Sequence, residues 1–166
     1  MYQDFKELLA AFNEHKVKYL IIGGYAVGFH AEPRATKDLD ILIGNDSQNA
    51  KAAYTALKSF GAPVTRIKPA DLIAKDCFFR MGNPPLMIDI LSVASGVDFE
   101  AAWLRRESMT IDKKNKVRAW VISCEDLIQS KIAAGRPQDL SDVAALRTAA
   151  DVVTKPKSKA KPDLKS

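Results

Sequence analysis

Apolar residues in the first part of the chain recur first at helical and then at strand-like spacing. Residues 2–15 carry apolar side chains at positions i, i+3, i+4 and i+7, which predicts an amphipathic helix; they are Phe5, Leu8, Leu9 and Phe12. Apolar runs over 17–22 and 39–43 predict two strands, because each run is short and ends at glycine. A short helix is predicted between the two strands, over 25–30.

The rest of the chain alternates strand-like and helical stretches. Asp46 or Ser47 is a suitable N-cap for a helix that runs to residue 60, and Gly61 suits its C-terminal end. Ser123 with Asp126 resembles a capping box for a helix that ends at 134. The other predicted elements are strands 77–81 and 86–92, a helix over 98–106, strands 109–112 and 117–122, and a helix over 139–153. This order predicts an α+β fold, with a mixed β-sheet flanked by helices.

Length and charge predict one domain over residues 1–153 and a disordered lysine-rich tail over 154–166. The chain has 166 residues, 47% of them apolar, and a net charge of +5. Five lysines and one aspartate after residue 154 account for most of that charge. Few tail residues are apolar, so burial does not offset the entropy lost on ordering. The tail is interpreted either as a solubilising extension or as an electrostatic arm for RNA or an acidic partner.

No stretch reaches the roughly 18–20 apolar residues that cross a bilayer, and the N-terminus lacks a signal-peptide layout. We therefore expect a cytoplasmic protein.

Three aspartates in predicted strands are the main candidates for chemistry. Asp38 and Asp40 are two residues apart, so their side chains share one face of the sheet. Asp89 lies in a second apolar strand. Clustered carboxylates repel each other, and Mg²⁺ or Mn²⁺ reverses the sign of that interaction. Two such ions stabilise phosphoryl displacement, and Asp89 is the candidate base for an attacking hydroxyl.

Glycines and cations near the first aspartates suit a nucleoside triphosphate. Gly23 and Gly24 let the backbone approach phosphates, and the helix after them offers free N–H groups. Arg34, Thr36 and Lys37 add possible phosphate contacts. Taken singly, each feature has a simpler interpretation, such as a turn or a surface carboxylate. Together they favour a catalytic site.

The spacing resembles a known family. Three motifs are similar to those of the minimal nucleotidyltransferase domain of the DNA polymerase β superfamily: Ile22-Gly23-Gly24, Asp38-Leu39-Asp40-Ile41 and Asp89. The segment 122–142 resembles one in AbiEii-type nucleotidyltransferases of type IV toxin–antitoxin systems. The resemblance covers roughly residues 17–147 and implies a polymerase-β-like nucleotidyltransferase fold for the predicted domain 1–153, an NTP substrate and a Mg²⁺ or Mn²⁺ cofactor.

The same resemblance implies two further site residues. A lysine of the family maps onto Lys131 and an acidic residue onto Asp142 or Asp139. A simpler alternative is that Lys131 is a surface residue paired with Asp126 or Glu125. The large helical C-terminal region of full-length AbiEii-type toxins is absent, which leaves room for a partner protein or a second copy.

Three functions follow as hypotheses. The first is transfer of a nucleoside monophosphate from NTP to an acceptor hydroxyl of RNA or tRNA, of a protein tyrosine or of a small molecule. The second is a non-catalytic nucleotide-binding antitoxin or regulatory subunit. The third is a nucleic-acid-binding domain that uses the lysine tail, with steep salt dependence and no metal requirement.

Overall fold

The computed structural model describes residues 1–75 and 78–154. Its helices are α1 (Gln3–Glu14), α2 (Gly23–His30), α3 (Ser47–Phe60), α4 (Phe99–Leu104), α5 (Cys124–Ala134) and α6 (Pro137–Thr154), with a 3-10 helix at Pro69–Ile73. Its strands are β1 (Tyr19–Ile22), β2 (Asp38–Ile43), β3 (Phe78–Asn83), β4 (Leu86–Leu91), β5 (Glu107–Asp112) and β6 (Val117–Val121).

These strands form one mixed six-stranded sheet in the order β3-β4-β2-β1-β6-β5. β1 is antiparallel to β2 and parallel to β6, while β2 is parallel to β4. The hairpins β3–β4 and β5–β6 complete the two sides. The prediction of an α+β fold with a mixed sheet and flanking helices is confirmed.

The strand β2 separates the core from the polar cleft. Leu39, Ile41 and Ile43 are fully buried, and α1 packs against α3 in the same hydrophobic core. Asp38 and Asp40 alternate with them and therefore point to the opposite face. Helices α5 and α6 pack against each other and against α2 beside that face. The alternation of one strand thus places carboxylates in a helix-lined cleft.

The observed helix ends agree with the predicted caps. The Asp46 side chain accepts a hydrogen bond from the Asn49 N–H at the start of α3. Gly61 and Gly135 adopt the left-handed conformation at the ends of α3 and α5, where a residue without Cβ is favoured. The capping residues therefore predict the start of α3 and the ends of α3 and α5 correctly.

Some predicted details are wrong. Helix α2 begins at Gly23 itself rather than at residue 25, and α6 begins at Pro137, which is pre-organised for a first helical turn. Ser123 caps α5, but the Asp126 carboxylate accepts from the Ser123 hydroxyl and from Arg105 instead of closing a capping box. The 3-10 helix was not predicted, because its single turn is too short to show apolar periodicity.

Two predictions fall partly outside the described residues. The predicted strand 77–81 begins at Cys77, which is not described, and the observed strand begins at Phe78. Of the predicted tail 154–166, only Thr154 is described, at the end of α6. Among the described residues, no helix combines the length and apolar character needed to span a membrane.

Candidate active site

Strand register brings the three aspartates to one place. Asp40 on β2 lies directly opposite Asp89 on the parallel strand β4, and Asp38 is paired with Met87. Since side chains two residues apart share a face, Asp38 and Asp40 project from the same face of the sheet as Asp89, and Asp40 and Asp89 line one cleft. Asp89 lies far from Asp38 and Asp40 in sequence, and the β2–β4 pairing brings it beside them.

The electrostatics of Asp40 reflect this crowding. Burial, followed by the charges of Asp89 and Asp38, raises the pKa of Asp40 from 3.8 to about 6, against the opposing effect of Lys131 and Arg136. A carboxylate held among like charges gains from any cation that enters. Asp40 therefore stands where added positive charge is most favourable.

Asp89 has one satisfied and one unsatisfied oxygen. Its Oδ2 lies 3.4 Å from Nη1 of Arg80, the residue opposite it on β3. Its Oδ1 is buried and has no hydrogen-bond partner among the residues that the structure describes. Burial and Asp38 raise the pKa of Asp89, while Arg80 opposes them. Arg80 also approaches Oδ2 of Asp38 at 3.7 Å, so one guanidinium bridges two of the three carboxylates.

Gly23 lies where β1 turns into α2, with a positive φ of 65°. A Cβ at this position would overlap the Asp40 carboxylate, so glycine is required both by the backbone and by the space. The N-terminus of α2 has no side-chain cap. Its free N–H groups and the positive end of its dipole are therefore available to an anion beside Asp40.

A buried ion-pair network forms the opposite wall. Nζ of Lys131 lies 3.1 Å from Oδ1 of Asp139 and 2.8 Å from Oδ2 of Asp142. The side chains of these three residues are 8%, 3% and 4% exposed. Arg136 binds Asp139 at 2.6 Å, and Arg34 binds Asp142 at 3.1 Å. Three cations and two carboxylates leave one net positive charge on this wall.

Both candidate acids, Asp139 and Asp142, therefore form ion pairs with Lys131. Burial alone would raise the pKa of Asp139, but hydrogen bonds from Arg136 and Lys131 outweigh this effect and lower the pKa. Asp142 also accepts from the Gln138 amide at 3.1 Å. The alternative in which Lys131 pairs with Asp126 or Glu125 is not what the structure shows, since Asp126 is held by Arg105.

Asp40, Asp89, Gly23 and the network enclose one cleft of about 770 Å³, and Asp38 is not among the residues that line it. Its polar wall includes Arg34, Asp40, Arg80, Asp89, Lys131, Arg136, Gln138, Asp139 and Asp142. Its apolar wall includes Ile22, Phe78, Leu91, Val93, Ala94, Leu127 and Ala134. The volume is that of a typical small-molecule site, and a nucleotide fits its mixture of charged and apolar surface.

Not every predicted site residue lines this cleft. Gly24 packs against Thr36, where a Cβ would come within 2.8 Å of the threonine hydroxyl, and both face a separate cavity on the other side. The Thr36 hydroxyl donates to the Asp38 carbonyl at 3.3 Å. Lys37 is exposed and is not among the residues that line either cavity. Gly24 and Thr36 support the turn that carries Asp38.

Two cleft residues were not singled out by sequence reasoning. They are the cations Arg136 and Arg80. Arg80 could have been found from its place in the predicted hairpin, where it lies opposite Asp89. That inference needs the register of the hairpin, which the sequence pattern does not provide. Arg136 follows Gly135, and its direction depends on the turn that this glycine makes.

Comparison with known proteins shows the family of this chain. The model of the family "Nucleotidyltransferase of unknown function (DUF6036)" matches residues 2–153. The chain belongs to this family. The DUF6036 match covers every element of the sheet and the whole cleft. No curated protein matches the chain.

Solved structures share the fold of this DUF6036 chain. The solution structure of the antibiotic-resistance factor ANT(2'')-Ia aligns with a TM-score of 0.54 and 14% identity, covering 90% of this chain and 82% of that one. The lincomycin-bound lincosamide adenylyltransferase LnuA aligns with a TM-score of 0.51 and 13% identity, covering 90% of this chain and 98% of that one. An antigenic nucleotidyltransferase-like protein from Paracoccidioides brasiliensis aligns with a TM-score of 0.50 and 16% identity, covering 90% of this chain and 75% of that one. At these identities the likeness establishes the fold.

The donor set of the DUF6036 cleft fits a hard divalent cation. Asp38, Asp40 and Asp89 supply carboxylate oxygens, and Oδ1 of Asp89 lacks any partner. Within residues 1–75 and 78–154, no group of three or more acidic, histidine or cysteine side chains already stands arranged around a metal position. Two of the carboxylates are instead turned to Arg80.

The raised pKa of Asp40 predicts how stability depends on pH without metal. Because the pKa is about 6 in the folded chain and near 3.8 when unfolded, protonated Asp40 favours folding below pH 4, and this contribution is lost as pH rises through 6. Asp40→Asn should therefore be more stable than the parent by about 1–3 kcal/mol at pH 8. Urea unfolding in EDTA measures this difference, which should shrink towards pH 4. If the difference in the free energy of unfolding between Asp40→Asn and the parent is the same at pH 4 and pH 8, the electrostatic explanation is wrong.

Proposed function

We propose that this protein is a nucleotidyltransferase that depends on Mg²⁺ or Mn²⁺. It moves a nucleoside monophosphate from an NTP to an acceptor hydroxyl and releases pyrophosphate. The observation that carries this proposal is the pairing of Asp40 with Asp89 on neighbouring strands, with Asp38 on the same face, in a cleft whose opposite wall is positively charged. Membership of a nucleotidyltransferase family supports it.

The three aspartates would hold the metal. When bound, divalent ions offset the charge of the phosphates and stabilise the attacking and leaving oxygens. Asp40 gains most from such a cation, because burial and two neighbouring carboxylates already disfavour its ionised form. The unsatisfied Oδ1 of Asp89 offers a further acceptor.

The triphosphate would lie between Gly23 and the cationic wall. The absence of Cβ at Gly23 makes room for the Asp40 carboxylate, and the N-terminus of α2 beside it has no side-chain cap and offers N–H groups to an anion. Arg136 and Arg34 also line this space, and each is anchored by a carboxylate through a direct ion pair. Anchored cations cost little reorganisation when negative charge develops, so they suit the leaving pyrophosphate.

Asp89 would accept the proton of the acceptor hydroxyl. In the proposed step, the hydroxyl oxygen forms a bond to the α-phosphorus, the bond from that phosphorus to the pyrophosphate oxygen breaks, and the proton passes to Asp89. A carboxylate with one free oxygen and a pKa raised by burial is a better base than an exposed one.

The acceptor is proposed to be RNA, with the tRNA 3′ end as one form, or a protein. A toxin–antitoxin role in the cytoplasm, as in the AbiEii-type enzymes that the sequence resembles, is part of this proposal. The alternative is a non-catalytic nucleotide-binding antitoxin or regulatory subunit with the same fold. It would have no need of clustered carboxylates, whose repulsion weakens folding unless a metal relieves it.

Acceptor labelling tests the proposal. The protein is incubated with each α-³²P-labelled NTP, Mg²⁺ or Mn²⁺ and a cell extract, and RNA, protein and small-molecule fractions are counted separately. Label in RNA or protein supports the proposed acceptor class. Label only in small molecules would reassign the acceptor, and nucleotide binding without transfer to any fraction would favour the regulatory subunit.

Nucleotide and metal should stabilise the protein together. Because a ligand bound only to the folded state adds RT ln(1 + [L]/Kd), NTP at a hundredfold excess over Kd contributes about 2.7 kcal/mol. We expect this gain in the free energy of unfolding when NTP and Mg²⁺ are both present, observed as a rise in Tm. Either ligand alone should raise the Tm much less. Scanning calorimetry with and without EDTA measures it. Stabilisation by NTP that EDTA leaves unchanged would contradict the metal assignment.

A further inference from the structure

Arg80 contacts two of the three aspartates and was not among the predicted site residues. The β3–β4 register places it opposite Asp89. Its Nη1 lies 3.4 Å from Oδ2 of Asp89, and its Nη2 lies 3.7 Å from Oδ2 of Asp38. One guanidinium therefore spans two carboxylates that the proposed metal site also needs.

The contacts of Arg80 are long for an arginine–carboxylate pair. Strong charge-assisted hydrogen bonds are about 2.7–2.9 Å long, and Arg105 meets Asp126 in this chain at 2.6 and 3.0 Å. The Arg80 side chain is 45% exposed and leaves Oδ1 of Asp89 unsatisfied. Arg80 thus neutralises the two carboxylates without holding them tightly.

We propose that Arg80 is an exchangeable counter-ion, which occupies Asp38 and Asp89 in the metal-free protein and leaves them when a divalent cation binds. This inference rests on the proposed nucleotidyltransferase function. A divalent ion bound to the same Oδ2 atoms would compete with the Arg80 guanidinium for their negative charge and would repel it. Because the arginine is half exposed and borders the cleft, it can move off the carboxylates without unfolding β3.

Exchange makes Arg80 a positioning residue. While Arg80 is in place, it pairs with both Asp38 and Asp89 and reduces the repulsion between them. Its positive charge also opposes entry of a bare cation and favours a cation that arrives with the polyanionic nucleotide. The device therefore couples metal binding to nucleotide binding, which a purely structural ion pair would not do.

Metal affinity in the absence of nucleotide tests this inference. Arg80→Gln removes the competing charge, so Mn²⁺ should bind about tenfold more tightly than to the parent, as expected for removing one positive charge several ångströms from a divalent ion in an aqueous cleft. Arg80→Lys retains the charge and should restore weak binding. Electron paramagnetic resonance of free Mn²⁺ gives the dissociation constants, and the rise in Tm caused by Mn²⁺ should be larger for Arg80→Gln.

Two controls separate the possible failures. Arg105→Gln removes an arginine–aspartate pair outside the cleft and should leave Mn²⁺ affinity unchanged. If Asp40→Asn abolishes Mn²⁺ binding but Arg80→Gln binds no more tightly than the parent, the exchange is refuted and the metal site stands. If Asp40→Asn binds Mn²⁺ as the parent does, the metal site itself is refuted, and the inference about Arg80 with it.

Discussion

Asp38→Asn and Asp40→Asn should each reduce nucleotidyl transfer by about a thousandfold or more while the protein remains folded. Asparagine has almost the same shape as aspartate, but it removes the negative charge that a divalent cation requires, and the stabilisation of phosphoryl charge is worth several kcal/mol. Transfer of label from α-³²P-NTP to the acceptor fraction at saturating Mg²⁺ measures the loss. Near-UV circular dichroism shows that the fold is retained.

The matched control is Asp112→Asn. Asp112 lies on β5 and binds Asn115 in the turn of the β5–β6 hairpin, and it does not line the cleft. We expect parental transfer activity from this variant. Parental activity from Asp38→Asn or Asp40→Asn would overturn the assignment of the strand carboxylates.

Lys131→Ala should have the second large effect, on both stability and nucleotide binding. Removing the ammonium leaves Asp139 and Asp142 buried without their shared cation, and breaking a buried ion pair in this way costs about 3–5 kcal/mol. NTP affinity or kcat should fall by a factor of about 10²–10³, because Arg34 and Arg136 lose the network that orients them. Urea unfolding and NTP titration measure the two losses separately.

A second variant keeps this prediction testable if Lys131→Ala fails to fold. In Lys131→Met with Asp142→Asn, one charge of each sign is removed, so much of the stability should return while NTP affinity remains low. Lys131→Arg should recover part of the affinity, since the guanidinium keeps the charge but has a different shape. Lys114→Ala, on the exposed hairpin turn, is the neutral control. Full NTP affinity in the double variant would make the network part of the scaffold alone.

Much of the fold could be predicted because its signals are local. Apolar periodicity gave α1, the alternation in β2 gave the shared face of Asp38 and Asp40, and the glycines ended α3 and α5 close to their observed positions. Each of these signals depends on a few neighbouring residues. The three aspartates could be grouped because strand periodicity is regular and a glycine turn stands beside them.

The rest of the site depends on contacts that no local pattern encodes. Arg34 meets Asp142 across 108 positions of the chain. Lys131 meets Asp139 only because Gly135 turns the chain between α5 and α6. Gly24 faces the other cavity because helical geometry turns it about 100° from Gly23, and Thr36 packs against Gly24 and lines that same cavity. The sequence therefore shows which residue types are present, but it does not show towards which cavity each side chain points.

The close approach of Gly23 to Asp40 has a consequence for how this cleft can change over generations. Any side chain at 23 would occupy the space of the Asp40 carboxylate, and the positive φ there disfavours other residues. A substitution at 23 therefore becomes less harmful once position 40 has already become smaller. The two positions are epistatic, and a lineage that loses the aspartate also loses one of the two constraints that keep the glycine.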